Sequence, residues 1–180
     1  MMNSPHAVAW IVSIILVEAA VIDGLKLRVP NWLTFHLVLG GLGFGAWSQG
    51  VSGFLWATAG MVVGLATLLP LYSIGGMGAG DVKLMAGVGA WMGPLVTLWA
   101  FVTSAVVGGV MALAMVAWSG EFVRHWVQFQ AIGHEILTVR NPEKLAASAA
   151  ARKPTMKLLP YGIPLAVGSI AYFAFAGLLF

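Results

Sequence analysis

"VKLMAGVGAWMGPLVTLWAFVTSAVVGGVMALAMVAW", residues 82–118, decides the fold. Its 37 residues carry one charge, Lys83, and as an unbroken helix would run roughly 55 Å at about 1.5 Å per residue. A bilayer's hydrocarbon core is about 30 Å thick, so the stretch is nearly two crossings long. Gly93-Pro94 offers the natural break, and the expectation is two spans joined there. The first, 82–92, would then measure roughly 17 Å, a short or partial span. Gly87, Gly89 and Gly93 would let it pack closely against neighbours.

The distribution of charge tests that division. Further apolar windows fall at 5–22, 33–48, 52–72 and 158–180. With 82–118 counted twice, all nine basic residues lie on one side of the membrane. Lys26 and Arg28 follow span 1, and Lys83 follows span 3. Arg124, Arg140, Lys144, Arg152, Lys153 and Lys157 lie between spans 5 and 6. The turns near 49–51 and 93–94 carry none. Because Lys and Arg concentrate in cytoplasmic loops, this predicts six spans with both termini outside the cytoplasm.

Composition agrees with that reading. The chain of 180 residues is 60% hydrophobic and 8% charged with a mean hydropathy of +0.93, whereas soluble domains carry about 25% charged residues. The expected fold is an all-α integral membrane protein, a bundle of six transmembrane helices forming one domain over 1–180. The mixed segment 119–157 is its cytoplasmic loop, and "FVRHWVQFQAIGHEIL" (122–137) suits the headgroup region. The start, "MMNSPHAVAWIVSIILVEAA", has only His6 before its apolar run, so it reads as a retained first span. No cysteine is present, which excludes disulfides, thiolate zinc sites, Cys nucleophiles and iron–sulfur clusters. The net charge of +3 is explained by orientation, and no basic run with interleaved aromatics points to nucleic acid.

The chain has two aspartates, Asp23 and Asp81, and the topology places both at the cytoplasmic face. Asp23 ends span 1, and Asp81 opens span 4 behind Gly75, Gly76, Gly78 and Gly80. Ionisable groups at a membrane boundary are functional candidates by default. Two carboxylates sharing a site can hold a single proton between them. The ionised one can then activate water while the other donates to a scissile carbonyl. Gly78 and Gly80 would permit close approach of a substrate backbone. The bland alternative makes Asp81 an N-cap of span 4. Glu18, about one turn before Asp23, is the one acid expected to be embedded, facing a hydrated interior or a polar neighbour. Lys83 is expected to snorkel to headgroups, Lys26 and Arg28 to anchor topology, and Trp10, Trp32, Trp47, Trp118 and Trp126 to lie at the interfaces.

"GMGAGDVKL" (76–84) resembles the G-x-G-D motif of the type IV prepilin peptidases, with Gly78, Gly80 and Asp81 in place and Lys83 following. "DGLKLRVPNWLT" (23–34) is similar to that family's first catalytic segment through Asp23, Lys26, Arg28, Pro30, Asn31 and Thr34. "LPYGIPLAVG" (159–168) resembles the start of its last helix. The resemblance implies a cofactor-free intramembrane aspartic endopeptidase with Asp23 and Asp81 catalytic. It would cut the basic leader of pilin or pseudopilin precursors at the cytoplasmic face of a bacterial inner membrane. The implied partners are such precursors, membrane lipid and a pilus assembly machinery. The larger bifunctional members carry a cysteine-paired domain and methylate their product. This cysteine-free chain resembles the short Flp/Tad-type form, and no methylation is expected of it.

Other chemistries fit less well. "GHEILT" (133–138) begins like the zinc motif H-E-x-x-H but has Thr138 at the second ligand position, and no metal site is expected. "GVSG" (50–53) mimics a rhomboid serine motif, yet Ser52 falls in the external turn and the last span has no histidine as base. The rivals from other classes are a small transporter or channel lined by Glu18, Asp23 and Asp81, and a non-catalytic pilus-assembly scaffold.

Overall fold

The computed structural model describes residues 5–73, 77–120 and 160–180, together with 127, 130–135, 138, 141, 144, 145, 147, 148 and 151. Gly75, Gly76, Trp126 and most of 119–157, with Arg124, Arg140, Arg152, Lys153 and Lys157, lie outside the described residues.

A segment in hydrocarbon must bond its own backbone, which leaves helices for a chain of this composition. The long helices among the described residues are α1 (Pro5–Lys26), α2 (Asn31–Ser73) and α3 (Ala79–Ser119), with a shorter α4 (Gly162–Phe175) near the end of the chain. The first three are long and apolar enough to cross a membrane, and α4 is shorter. No strand occurs among the described residues.

Two glycines bend the long helices. Gly50 (φ 63°, ψ −140°) interrupts α2 and Gly93 (φ 76°, ψ 175°) interrupts α3 just before Pro94. Both conformations belong to regions that side chains disfavour. Beyond Gly50 the arms 31–49 and 51–73 lie against each other, since a Cβ on Gly45 would come within 2.7 Å of the Gly53 carbonyl oxygen and 3.1 Å of Ala57. Beyond Gly93 the second arm of α3 returns toward its start, so that Gly108 and Gly109 line one cavity with Met77. The break expected at 93–94 thus separates a short arm, 79–92, from a longer one.

That short arm is the centre of the molecule. Val82 and every residue from Leu84 to Ala90 are buried, as expected of a helix apolar all round. Its small residues allow the neighbouring backbones in: Gly89 meets Gly60, and Gly64 meets the Met85 carbonyl. Gly87 makes room for Leu37, and the Trp91 indole N–H donates to the Leu37 carbonyl at 2.8 Å while its ring stacks on Phe44.

Helix α4 joins α1 to α3. Thr103 and Ser104, on the second arm of α3, donate to the carbonyls of Gly168 (2.8 Å) and Leu165 (3.2 Å). At the far end His6 Nδ1 meets the Leu178 carbonyl at 3.0 Å, and Trp10 donates to that of Leu179 at 3.1 Å. α1 packs mainly on α4 and only sparsely on α2 and α3. The C-terminus of α1 and the N-termini of α3 and α4 meet at one end of the bundle. Trp32, Trp47 and Trp118 are exposed.

Candidate active site

Residues 9, 12, 16, 19 and 23 recur at helical spacing along α1, and all five are buried. Four are Ala9, Val12, Leu16 and Ala19; the fifth is Asp23, 3% exposed. A carboxylate thus occupies a core position one turn before the helix ends. Its Oδ2 accepts the backbone N–H of Gly162 at 2.7 Å. That donor is one of the first-turn amides of α4 that no helical carbonyl can satisfy.

Asp81 lies in the first turn of α3 and is 6% exposed. It is not the N-cap: Gly78 is, with its N–H donating to Asp81 Oδ2 at 3.2 Å. The capping role therefore uses one oxygen. The other, Oδ1, is fully buried without a hydrogen-bond partner among the described residues. The Asp23 and Asp81 carboxylates are close enough to act on each other electrostatically. The chain's two aspartates, 58 positions apart in sequence, form one buried acidic pair.

Gly80 has a packing role beside Asp81. A Cβ on Gly80 would fall 2.7 Å from the Val29 carbonyl oxygen and 3.0 Å from the Val29 Cβ, so Gly80 lets the α1–α2 connection settle on α3. Val29 is buried there. Gly78 has an ordinary extended backbone (φ −84°, ψ 151°). A side chain on it would stand 3.2 Å from Asp81 Oδ2. Lys83 is exposed, and its Nζ donates to Asn31 Oδ1 at 3.0 Å, tying the start of α2 to that of α3. Thr34 closes the first turn of α2 through the Asn31 carbonyl, 3.1 Å away. Lys26 and Arg28 are exposed, and Pro30, half-buried, immediately precedes Asn31 at the start of α2, its carbonyl accepting the Thr34 N–H.

Glu18 is exposed on the outer side of α1, off the stripe that carries Asp23, so it belongs neither to the pair nor to the interior. Ser52 donates to the Gln49 carbonyl at 2.8 Å. Thr138, where a zinc motif would need its second histidine, donates to the His134 carbonyl at 2.7 Å.

Gly162 is the contributor that sequence reasoning missed. "LPYGIPLAVG" locates the helix start, but its contribution is a backbone N–H, which no side-chain pattern reveals. Beside it lies an apolar cavity of about 290 Å³ lined by Leu68, Leu71, Met77, Phe101, Tyr161 and Leu165 among others. Met77 precedes the amide that holds Asp81, and Tyr161 precedes the one that holds Asp23. The cavity is thus lined by the residues that precede the two carboxylate-holding amides.

Residues 10–113 match the profile of the type IV leader peptidase family. The chain is 32% identical over 122 residues to a prepilin leader peptidase/N-methyltransferase of Aeromonas hydrophila, covering 60% of this chain and 39% of that protein. The protein of the same description from Aeromonas salmonicida strain A449 is 30% identical over 122 residues, with the same shares covered. The chain thus spans well under half the length of these curated relatives. No solved structure matches it. The family match covers more than half of the chain and includes both buried aspartates, and on it the chain belongs to the type IV leader peptidase family.

Proposed function

We propose that this chain is an intramembrane aspartic endopeptidase that removes the basic leader of a type IV pilin-like precursor, with Asp23 and Asp81 as its catalytic residues. The buried pairing of the chain's two aspartates carries the reading. A carboxylate pair sharing one proton can take a proton from water and give one to the scissile carbonyl, so hydrolysis proceeds without a covalent intermediate. The apolar cavity lined by Met77 and Tyr161, the residues before the two carboxylate-holding amides, suits an apolar stretch of substrate. The bends at Gly50 and Gly93 support six crossings, with the pair at the end where Lys26, Arg28 and Lys83 gather. On the positive-inside rule that end faces the cytoplasm of a bacterial inner membrane and both termini lie outside it. The cysteine-free composition favours the Flp/Tad-type substrates and cleavage without methylation.

The test is cleavage of a candidate prepilin in proteoliposomes, with mass measurement of the product's amino terminus. Asp23→Asn and Asp81→Asn should each abolish cleavage, at least a ~100-fold loss, because an amide neither takes nor supplies the proton. Cleavage persisting in either variant sinks the pair as catalyst. Ion flux abolished by the same variants, with no proteolysis in the parent protein, would instead identify a transporter.

A further inference from the structure

We propose that the Gly162 amide is a positioning group that fixes Asp23 as the ionised, water-activating member of the pair and leaves the proton on Asp81. The inference rests on the peptidase reading and assigns the two roles within it.

The two carboxyl groups are held unequally. Asp23 Oδ2 receives its amide at 2.7 Å, within the range of about 2.7–2.9 Å usual for a donor on a charged oxygen. Asp81 Oδ2 receives its amide at 3.2 Å, the long end for N–H to oxygen. Asp81 Oδ1 is buried without a hydrogen-bond partner among the described residues, the residue's own backbone N–H being the other donor that acts on its carboxyl. Burying an ionised oxygen without a donor is the costly arrangement. A protonated Oδ1 is itself a donor, ready for a substrate carbonyl. Lys83, the cation nearest to Asp81 in sequence, has its Nζ on Asn31 Oδ1. Tyr161, the one titratable side chain at the start of α4, is half-buried beside the pair.

The amide is fixed by the fold rather than by a loop. The neighbouring N–H groups of Ile163 and Leu165 are taken by the carbonyls of Pro160 and Tyr161, both at 3.1 Å. The helix behind them is bonded to α3 through Thr103 and Ser104. Because α1 touches α3 only sparsely, α4 sets where Asp23 stands relative to Asp81. A Cβ on residue 162 would lie 2.9 Å from the Asp23 Cβ and 3.0 Å from Oδ2, so the residue delivers its amide only as glycine. Gly162 lies outside the segment matched by the family profile.

In the resulting cycle a water proton passes to Asp23 through the oxygen not held by Gly162, and the water oxygen bonds to the scissile carbon. The Asp81 proton passes to the carbonyl oxygen, giving a neutral gem-diol. As the C–N bond breaks, Asp23 returns its proton to the leaving nitrogen and a diol hydroxyl returns one to Asp81. Both residues end as they began.

The test uses the fact that the chain has two aspartates. Labelled at the aspartate side-chain carboxyl, the full chain in lipid nanodiscs gives two NMR carboxyl signals. Proximity to an isotope-labelled Gly162 nitrogen identifies Asp23. At neutral pH the signal near Gly162 should be that of a carboxylate and the other that of a carboxylic acid; the reverse assignment, or two carboxylates, overturns the proposal. Replacing Gly162 by glycolic acid turns the 161–162 amide into an ester and removes one N–H without adding a side chain. It should lower kcat about 10- to 100-fold with KM unchanged. An unchanged kcat refutes the positioning role. Failure of the peptidase reading is distinguishable, because it appears as no cleavage by the parent protein, or as cleavage that survives the Asn substitutions, whatever the carboxyl signals show.

Discussion

At the scale of single residues, the G-x-G-D segment divides into two different constraints. Gly80 is needed for its empty side, which faces the Val29 backbone at 2.7 Å from where a Cβ would sit. Gly78 is needed for its N–H on Asp81, while its extended backbone is open to any residue. Gly80→Ala should therefore push the α1–α2 connection away and lose about 1–3 kcal/mol, as overpacking does. Gly78→Ala keeps the donor and stiffens the unfolded chain, so its loss should stay under about 1 kcal/mol. Thermal unfolding of both variants in the same detergent checks the order; a larger loss at Gly78 would reverse the assignment. The aspartates themselves were legible in the sequence because they are the two of their kind in an apolar chain. The purpose of the glycines was not, because Val29 lies 51 positions from Gly80 and nothing local marks the contact.

At the scale of elements, the decisive feature is that two helices are too long to be straight. At about 1.5 Å per residue, the 43 residues of α2 would extend roughly 64 Å, twice the thickness of a bilayer core. Gly50 and Gly93 resolve this by adopting positive φ. The surroundings of the two bends differ. A side chain at Gly50 would meet nothing within 4 Å, whereas one at Gly93 would collide with the Trp56 indole. Gly50→Ala should therefore cost only the backbone strain, about 1–3 kcal/mol, and Gly93→Ala that strain plus the displacement of Trp56. Unfolding titrations that found the two equally tolerant would show that the α3 bend relaxes without Trp56. Apolar length announced the bend in α3, and Gly93-Pro94 announced its position. The position at Gly50 followed from an uncharged turn between windows.

At the scale of the whole molecule, the bends turn three long helices and α4 into a bundle that gathers three helix ends, and with them both aspartates, at one end. The absence of cysteine makes the proposed topology directly measurable. Gln49→Cys and Leu95→Cys should react with an impermeant thiol reagent applied to intact spheroplasts. Leu27→Cys and Ser73→Cys should react only after permeabilisation. Labelling of all four from the same side would contradict six crossings. Glu18 marks the limit of sequence reasoning at this scale. It sits one turn from Asp23 in an apolar span, yet α1 turns it outward, because the stripe 9, 12, 16, 19, 23 faces α4 and position 18 does not.

The sequence alone determined that this is an apolar, all-helical chain, that its helices break near glycines, and that two aspartates share one end. Those properties follow from composition, segment length and charge placement, which are sums or spacings along the chain. Only the tertiary structure decided how the carboxylates are held. Their partners are the amides of Gly78 and Gly162, and the clearances at Gly80 and Gly162 are set by Val29 and Asp23 from other elements. A backbone N–H is present at nearly every position, so which one points at a carboxylate is fixed by helix packing and not by residue type.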